Sequence, residues 1–354
     1  MTVNTQSPVT RVGSQTAKPA SRLFAWLKRT ALWLIIGIVA IAAVGAIYQA
    51  IATQIDKGAY PASGQMVDVG GYRLHLNCTG VNVNGSPTVI LENGLGAISS
   101  TWALVQPEVT KATRVCSYDR AGMGWSDSSP EPRDAQHIAI ELHTLLQNAQ
   151  IPGPYVLVGW SFGGLYVREY AGQYPDEVVG LVLLDSSHPD QWTGTPEGQA
   201  QFETNAKIYS LAPTLVRMGV MRVMGLLQPA SGLPAPYNEE LKASFAATKD
   251  WDAQSAEFLA LPATSAQVRE SELLDNILLF VLTATEHGMP PKLEQLWQSW
   301  QTDLASLSSN SLHQIVEGAD HASFWRDPEV VKVTNDAILQ VVGAARMGLA
   351  LASK

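Results

Sequence analysis

The sequence predicts an α/β fold, a mostly parallel sheet with helices on both faces, joined to one N-terminal transmembrane helix. Three observations carry that expectation. Short, unbroken apolar runs alternate with helical stretches. Gly159-Trp160-Ser161-Phe162-Gly163 sits between one such run and the helix after it, and residues 31–52 contain no charge. A strand covered on both faces reads as a continuous apolar run instead of an alternating one, so these runs argue for a buried parallel sheet.

Residues 1–30 read as a cytoplasmic tail, largely disordered, whose first 22 residues are rich in Thr, Ser, Gln and Pro. From Ala31 to Ala52 the only strongly polar side chain is Gln49. At 1.5 Å per residue such a helix is roughly 33 Å long, enough for a ~30 Å hydrocarbon core. Trp26 and Trp33 at one end and Tyr48 at the other suit the membrane interfaces. Arg11, Lys18, Arg22, Lys28 and Arg29 precede the run with no acid among them. That asymmetry predicts a single-pass protein of the cytoplasmic membrane, N-terminus inside and body outside, with the lipid bilayer as partner through residues 31–52. A cleaved signal ending near Ala50-Ile51-Ala52 is the competing reading; the long basic region and the length of the apolar run favour a retained anchor. Both readings export the body.

Beyond residue 29 the chain holds 18 Lys+Arg against 32 Asp+Glu, a net of −14. So acidic a body lacks the basic footprint of phosphate-backbone binding, which excludes a nucleic-acid role. Two cysteines make no disulfide-rich scaffold, and the sequence has no CxxC or HExxH, so neither a metal nor an organic cofactor is expected.

In the body, Met66–Cys78 reads as a hairpin turning at Gly70-Gly71, where two-residue turns require positive φ. Apolar runs follow at 87–93, 113–119, 154–159 and 178–185, then at 276–285 and 313–318. Helical stretches are expected near 101–111, 134–150, 163–174 and 291–307, and from Pro328 onward. Between 188 and 275 the alternation stops, giving a helical insertion with Pro-broken joints at 229–236 and 261–262. Its Met218, Met221 and Met224 share a helical face, suited to core packing or to lining a substrate. The chain thus divides into a body at 53–187, the insertion at 188–275 and the rest of the body at 276–354.

Gly-x-Ser-x-Gly is a weak motif alone, but here it lies directly after a strand and before a helix. That turn forces Ser161 into an exposed, strained position at the sheet edge, and the following helix aims its N–H groups at any oxyanion formed there. A serine nucleophile needs a base. Among seven histidines, His75, His137 and His143 read as packing or solvated residues, His188 and His287 as possible supports behind the site, and His313 as the opening of a strand. His321 follows the last strand, in a loop closed by Asp327 as helix cap and Pro328 at the first helical position. A parallel sheet puts that loop on the edge that carries Ser161, so His321 is the expected base. For the acid, Asp185 and Glu286 both end strands beyond the serine, with Asp185 preferred. Asp119 is expected to brace its own loop and Arg120. The oxyanion donors are expected to be Phe162 N–H and Leu95 N–H, the latter from Asn93-Gly94-Leu95-Gly96.

With the serine elbow, the Gly-rich loop after an earlier strand and the late histidine, the chain resembles the α/β-hydrolase superfamily over about 64–187 and 276–354. The order Ser161, Asp185, His321 matches its nucleophile, acid and histidine. Asn93 stands where the family commonly has His, and Glu286 stands at the usual acid position, where Asp is expected. Residues 188–275 fall where the family carries its cap, and a serine in the elbow argues against the haloalkane dehalogenase branch. The family's strand order would place Cys78 beside Cys116 on neighbouring strands, inviting a disulfide in an exported protein. The resemblance implies a membrane-anchored serine hydrolase taking a small-molecule acyl substrate, with carboxylic esters first. Amide, thioester or C–C bond hydrolysis, or a non-catalytic binding protein retaining the fold, are the alternatives.

Overall fold

A computed structural model describes residues 1–3, 20–83, 85–225, 232–270 and 274–351, without the side chains of 20–22. Most of the expected disordered tail and part of the Pro-broken joint at 229–236 lie outside the described residues.

The strands are β1 (Gln65–Asp68), β2 (Arg73–Thr79), β3 (Thr88–Glu92), β4 (Val115–Tyr118), β5 (Tyr155–Trp160), β6 (Val178–Leu184), β7 (Leu278–Ala284) and β8 (Ser311–Val316). They form one sheet in the order β1-β2-β4-β3-β5-β6-β7-β8. The β1/β2 and β2/β4 pairs are antiparallel; all others are parallel. Cys78 and Cys116 are register partners across β2 and β4 and form a disulfide. The strand neighbours and the bridge implied by the resemblance are therefore both present.

Period-two alternation sorts the apolar runs into two cores. Val89, Leu91, Val156, Val158, Val182, Leu184 and Phe280 face one way, beneath helix Pro328–Met347. Ile90, Leu157, Leu181, Leu183 and Val281 face the other way, beneath helices Ala135–Asn148 and Gly163–Gln173. The chain leaves β3 for β4 on one side and returns to β5 on the other. That reversal opens a crevice at the C-terminal ends of β3 and β5, where ligands bind in such sheets.

Between β6 and β7 the described residues are helical, at Pro196–Arg217, Val220–Met224, Tyr237–Phe245, Thr248–Leu259 and Leu261–Glu270. The three methionines do not share one helical face. Gly219, in the left-handed region, breaks the helix between Met218 and Met221. Met221 packs on Val216 and Trp251, whereas Met224 is exposed.

The N-terminal helix runs from Ala20 to Ala59, longer than the expected 31–52. It is apolar and long enough to cross a membrane, with its apolar window unburied. Residues 53–59, expected to open the body, instead continue the helix almost to β1, and its last turns pack on the helical segment between β6 and β7. Gln49 Nε2 donates to the Ala246 carbonyl at 2.6 Å, and Arg222 pairs with Asp56 at 2.8 Å.

Candidate active site

β5 ends at Trp160, and the helix of the elbow begins at Gly163. Ser161 between them has φ +56°, a left-handed conformation uncommon for a side chain with a Cβ. The neighbouring strand's end holds it there. Ser161 N–H donates to the Leu184 carbonyl at 3.2 Å, and the Ser161 carbonyl accepts N–H groups of Gly164 and Ser187, both at 3.0 Å.

Asp185 is the first residue after β6, also at positive φ (+43°). Its carboxylate is fully buried and meets four donors. Oδ1 accepts Trp297 Nε1–H at 2.9 Å and Ala284 N–H at 3.1 Å. Oδ2 faces His321 Nδ1 at 2.6 Å and His287 Nε2 at 2.9 Å. Burial alone would raise the pKa of this acid. The hydrogen bonds from the two imidazoles outweigh it and hold the carboxyl well below the usual carboxylate range. An ionised carboxylate only accepts, so Nδ1 of His321 carries a proton and Nε2 is left for other chemistry.

His321 sits in the loop after β8 and is partly exposed. Trp160 Nε1–H donates to the His321 carbonyl at 2.8 Å, and the two rings lie 5.1 Å apart, so the imidazole is tied to the residue preceding Ser161. Asp320 stiffens the loop by accepting from Ala322 N–H and the Ser323 hydroxyl at 3.0 and 2.9 Å. Glu286, the alternative acid, is exposed; its backbone N–H donates to the Ala319 carbonyl at 2.9 Å. The carboxylate in contact with His321 is that of Asp185.

His287 lies just past β7 with its side chain almost fully buried. Its Nε2 faces Asp185, and its Nδ1 faces both oxygens of Glu294, at 3.0 and 3.1 Å. Desolvation depresses the pKa of this imidazole, but the two carboxylates overcome it and raise it above its ordinary value. The sequence flagged His287 only as a possible support. Glu294 and Trp297 gave no signal, because their role depends on how the helix Pro291–Ala305 lies against the end of β6. Nδ1 of His321, Oδ2 of Asp185 and Nε2 of His287 also lie within 4.8 Å of one another, within reach of a cation. The two separations from Oδ2, 2.6 and 2.9 Å, are those of N–H···O hydrogen bonds to an ionised carboxylate.

The loop after β3 passes directly over the elbow. A Cβ at Gly94 would stand 2.7 Å from the Trp160 ring and 3.1 Å from the Ser161 Cβ, so only glycine allows this approach. Neither Leu95 N–H nor Phe162 N–H has a backbone hydrogen-bond partner among the described residues. Arg120, fully buried, fixes the loop by donating to the carbonyls of Asn93 (2.7 Å) and Gly94 (2.9 Å). The same guanidinium pairs with Glu92 at 2.6 Å and with Glu257 of helix Thr248–Leu259 at 2.8 Å. Asp119 does brace its own loop, accepting Ser99 N–H (2.6 Å) and Trp125 N–H (3.1 Å), but its ionic partner is His75 and not Arg120. Arg120 lies on the other side of the loop, where two buried carboxylates compete for it. The remaining histidines have partners outside the Asp185–His321–His287 cluster: His137 Asp134, His143 Glu177, His188 Asp303 and His313 Thr283.

Sheet order, elbow and buried acid together define an alpha/beta hydrolase. The sequence profile of that family matches residues 89–333, and the chain belongs to the alpha/beta hydrolase family. An uncharacterized protein of Schizosaccharomyces pombe is 27% identical over 303 residues, covering 76% of this chain and 54% of that protein. The chain thus spans about half the length of this relative. A pimeloyl-[acyl-carrier protein] methyl ester esterase of Shewanella woodyi is 28% identical over 234 residues, 63% of this chain and 76% of the esterase. An esterase from Exiguobacterium antarcticum superposes with a TM-score of 0.60 at 15% identity, over 79% of this chain and 99% of the esterase. At that identity the likeness concerns the fold.

Proposed function

We propose that the chain is a membrane-anchored serine hydrolase that cleaves carboxylic esters through an acyl-enzyme. The observation that carries this reading is the 2.6 Å contact between Asp185 and His321 on a loop tied to the residue before Ser161. Ser161 Oγ attacks the acyl carbonyl while its proton passes to Nε2 of His321. Asp185 keeps Nδ1–H pointed at itself and stabilises the imidazolium that forms. The N–H groups of Phe162 and Leu95 receive the oxyanion. The imidazolium then protonates the leaving alkoxide, the C–O bond breaks, and water activated by His321 releases the acid and restores Ser161.

Esters come first because one sequence relative bears the name of a methyl ester esterase. Phe162, Phe258, Trp192 and Phe202 pack as an apolar aromatic cluster next to the elbow. The long apolar helix supports anchoring in a bilayer, the charge asymmetry of the sequence supports a body outside the cytoplasm, and a disulfide suits such an oxidising compartment. The test is the full chain in detergent against a chain-length series of p-nitrophenyl esters, beside Ser161→Ala. Turnover abolished in the variant supports the reading, and the chain-length optimum sizes the acyl pocket. Turnover that survives the substitution overturns it.

A further inference from the structure

The N-terminal helix meets the body while it is still apolar. Gly45, Gln49, Thr53 and Asp56 lie on one face of it, at helical spacing, and that face meets Met218, Gly219, Arg222 and Ala246. The closest approach is backbone to backbone. A Cβ at Gly45 would overlap the Met218 carbonyl oxygen, and one at Gly219 would stand 2.8 Å from the Gly45 carbonyl oxygen. On the opposite face of the same turns Val44, Ile47, Ile51 and Ile55 are exposed aliphatic side chains, with Gln54 among them.

Gly45 lies seven residues before Ala52, so the contact is about 10 Å inside the end of the uncharged run. A bilayer that covers this run on its exposed face also reaches the turn at Met218-Gly219. On the side of that turn away from the sheet, the body exposes apolar side chains. Ile208, Leu211 and Leu215 recur at spacings of three and four along helix Pro196–Arg217, and Val223 and Met224 follow the turn; all five are exposed. Leu215 is three residues from Met218, so the row starts beside the anchor helix and runs away from it. Contiguous exposed aliphatic surface of this kind marks an interaction face, and its continuity with a membrane-crossing helix identifies the partner.

We propose that Ile208, Leu211, Leu215, Val223 and Met224 form a second bilayer contact, inserted into the interfacial layer of the leaflet from which the N-terminal helix emerges. The inference rests on that helix spanning the membrane. It fixes the orientation of the body, with the helical segment over the active site pressed against lipid and the opposite sheet edge turned to water.

The test uses the full chain in phosphatidylcholine vesicles. Both native cysteines are in the disulfide, so a single introduced cysteine takes the fluorophore. Four positions are labelled with an environment-sensitive dye and challenged with nitroxide lipids: Leu211→Cys, Val223→Cys, Val39→Cys in the apolar helix, and Val81→Cys. Val81 follows β2, whose end pairs with the start of β4, so it marks the sheet edge away from the site. The expected result is a blue shift and loss of emission at 211 and 223 with shallow nitroxides, loss at 39 with deep ones, and no change at 81. Quenching at 39 without quenching at 211 and 223 overturns the second contact and leaves the anchor standing. Quenching at 211 and 223 but not at 39 retains the contact and overturns the spanning helix. No quenching at any position overturns both, and quenching at all four, 81 included, overturns the orientation.

Discussion

Asp185 shares one carboxylate oxygen, Oδ2, between two imidazoles, with His287 Nε2 at 2.9 Å beside the shorter contact to His321. His287 is itself held between Asp185 and Glu294, so both of its nitrogens face acceptors and the protonated form is favoured. Asp185 therefore faces an imidazole whose protonated form is favoured, as well as the base it orients.

Replacing His287 by Gln keeps one donor to Asp185, whereas His287→Ala leaves Oδ2 with the His321 contact alone. His287→Ala is expected to lower kcat/KM by about tenfold, the cost of about one buried hydrogen bond that positions the acid, and His287→Gln by less. Steady-state kinetics of both variants check this; equal losses in the two would show that the donor to Asp185 is not what matters.

The same histidine sets a stability dependence with a definite sign. Its folded-state pKa lies above the ordinary 6.5, so its contribution is complete below that value and fades as pH rises through the folded pKa. The stability difference between the native chain and His287→Gln should be largest in mild acid and shrink toward alkaline pH. Asp185 has the opposite sense, since its depressed pKa gives a contribution that is lost only in strong acid. Chemical denaturation at a series of pH values separates the two.

Arg120 is buried against Glu92 and Glu257 and holds the carbonyls of the loop that offers Leu95 N–H. Arg120→Met leaves two buried carboxylates without their cation, expected to cost about 3–5 kcal/mol. Denaturant midpoints measure the loss. In variant protein that remains folded, kcat should fall more than KM rises, because the loop positions an oxyanion donor.

The Cys78–Cys116 bridge closes a 38-residue separation, worth about 4 kcal/mol in a chain-entropy account. Thermal melts with and without reductant should show that loss, and they should show none in a Cys78→Ala, Cys116→Ala double variant.

Much of this molecule was legible in the sequence because buried parallel strands announce themselves. Val178–Leu184 and Leu278–Ala284 read as apolar runs and are buried strands almost end to end. Ser161 and His321 were legible because strand ends fix where they project. The choice between Asp185 and Glu286 was not, since both follow strands and only the loop geometry after β8 decides which carboxylate the imidazole meets. Gln49 was harder still. A lone amide in an apolar run reports its polarity, whereas its partner, the Ala246 carbonyl, lies 197 residues away. Long-range docking of that kind leaves no local pattern.

The central claim is that Ser161 is an activated nucleophile, and labelling by a fluorophosphonate probe, mapped by peptide mass spectrometry, tests it most directly. The account predicts one modified residue, Ser161, with labelling abolished by Ser161→Ala and slowed by roughly 10³-fold or more in His321→Ala. Folded protein in which Ser161 stays unmodified would contradict it.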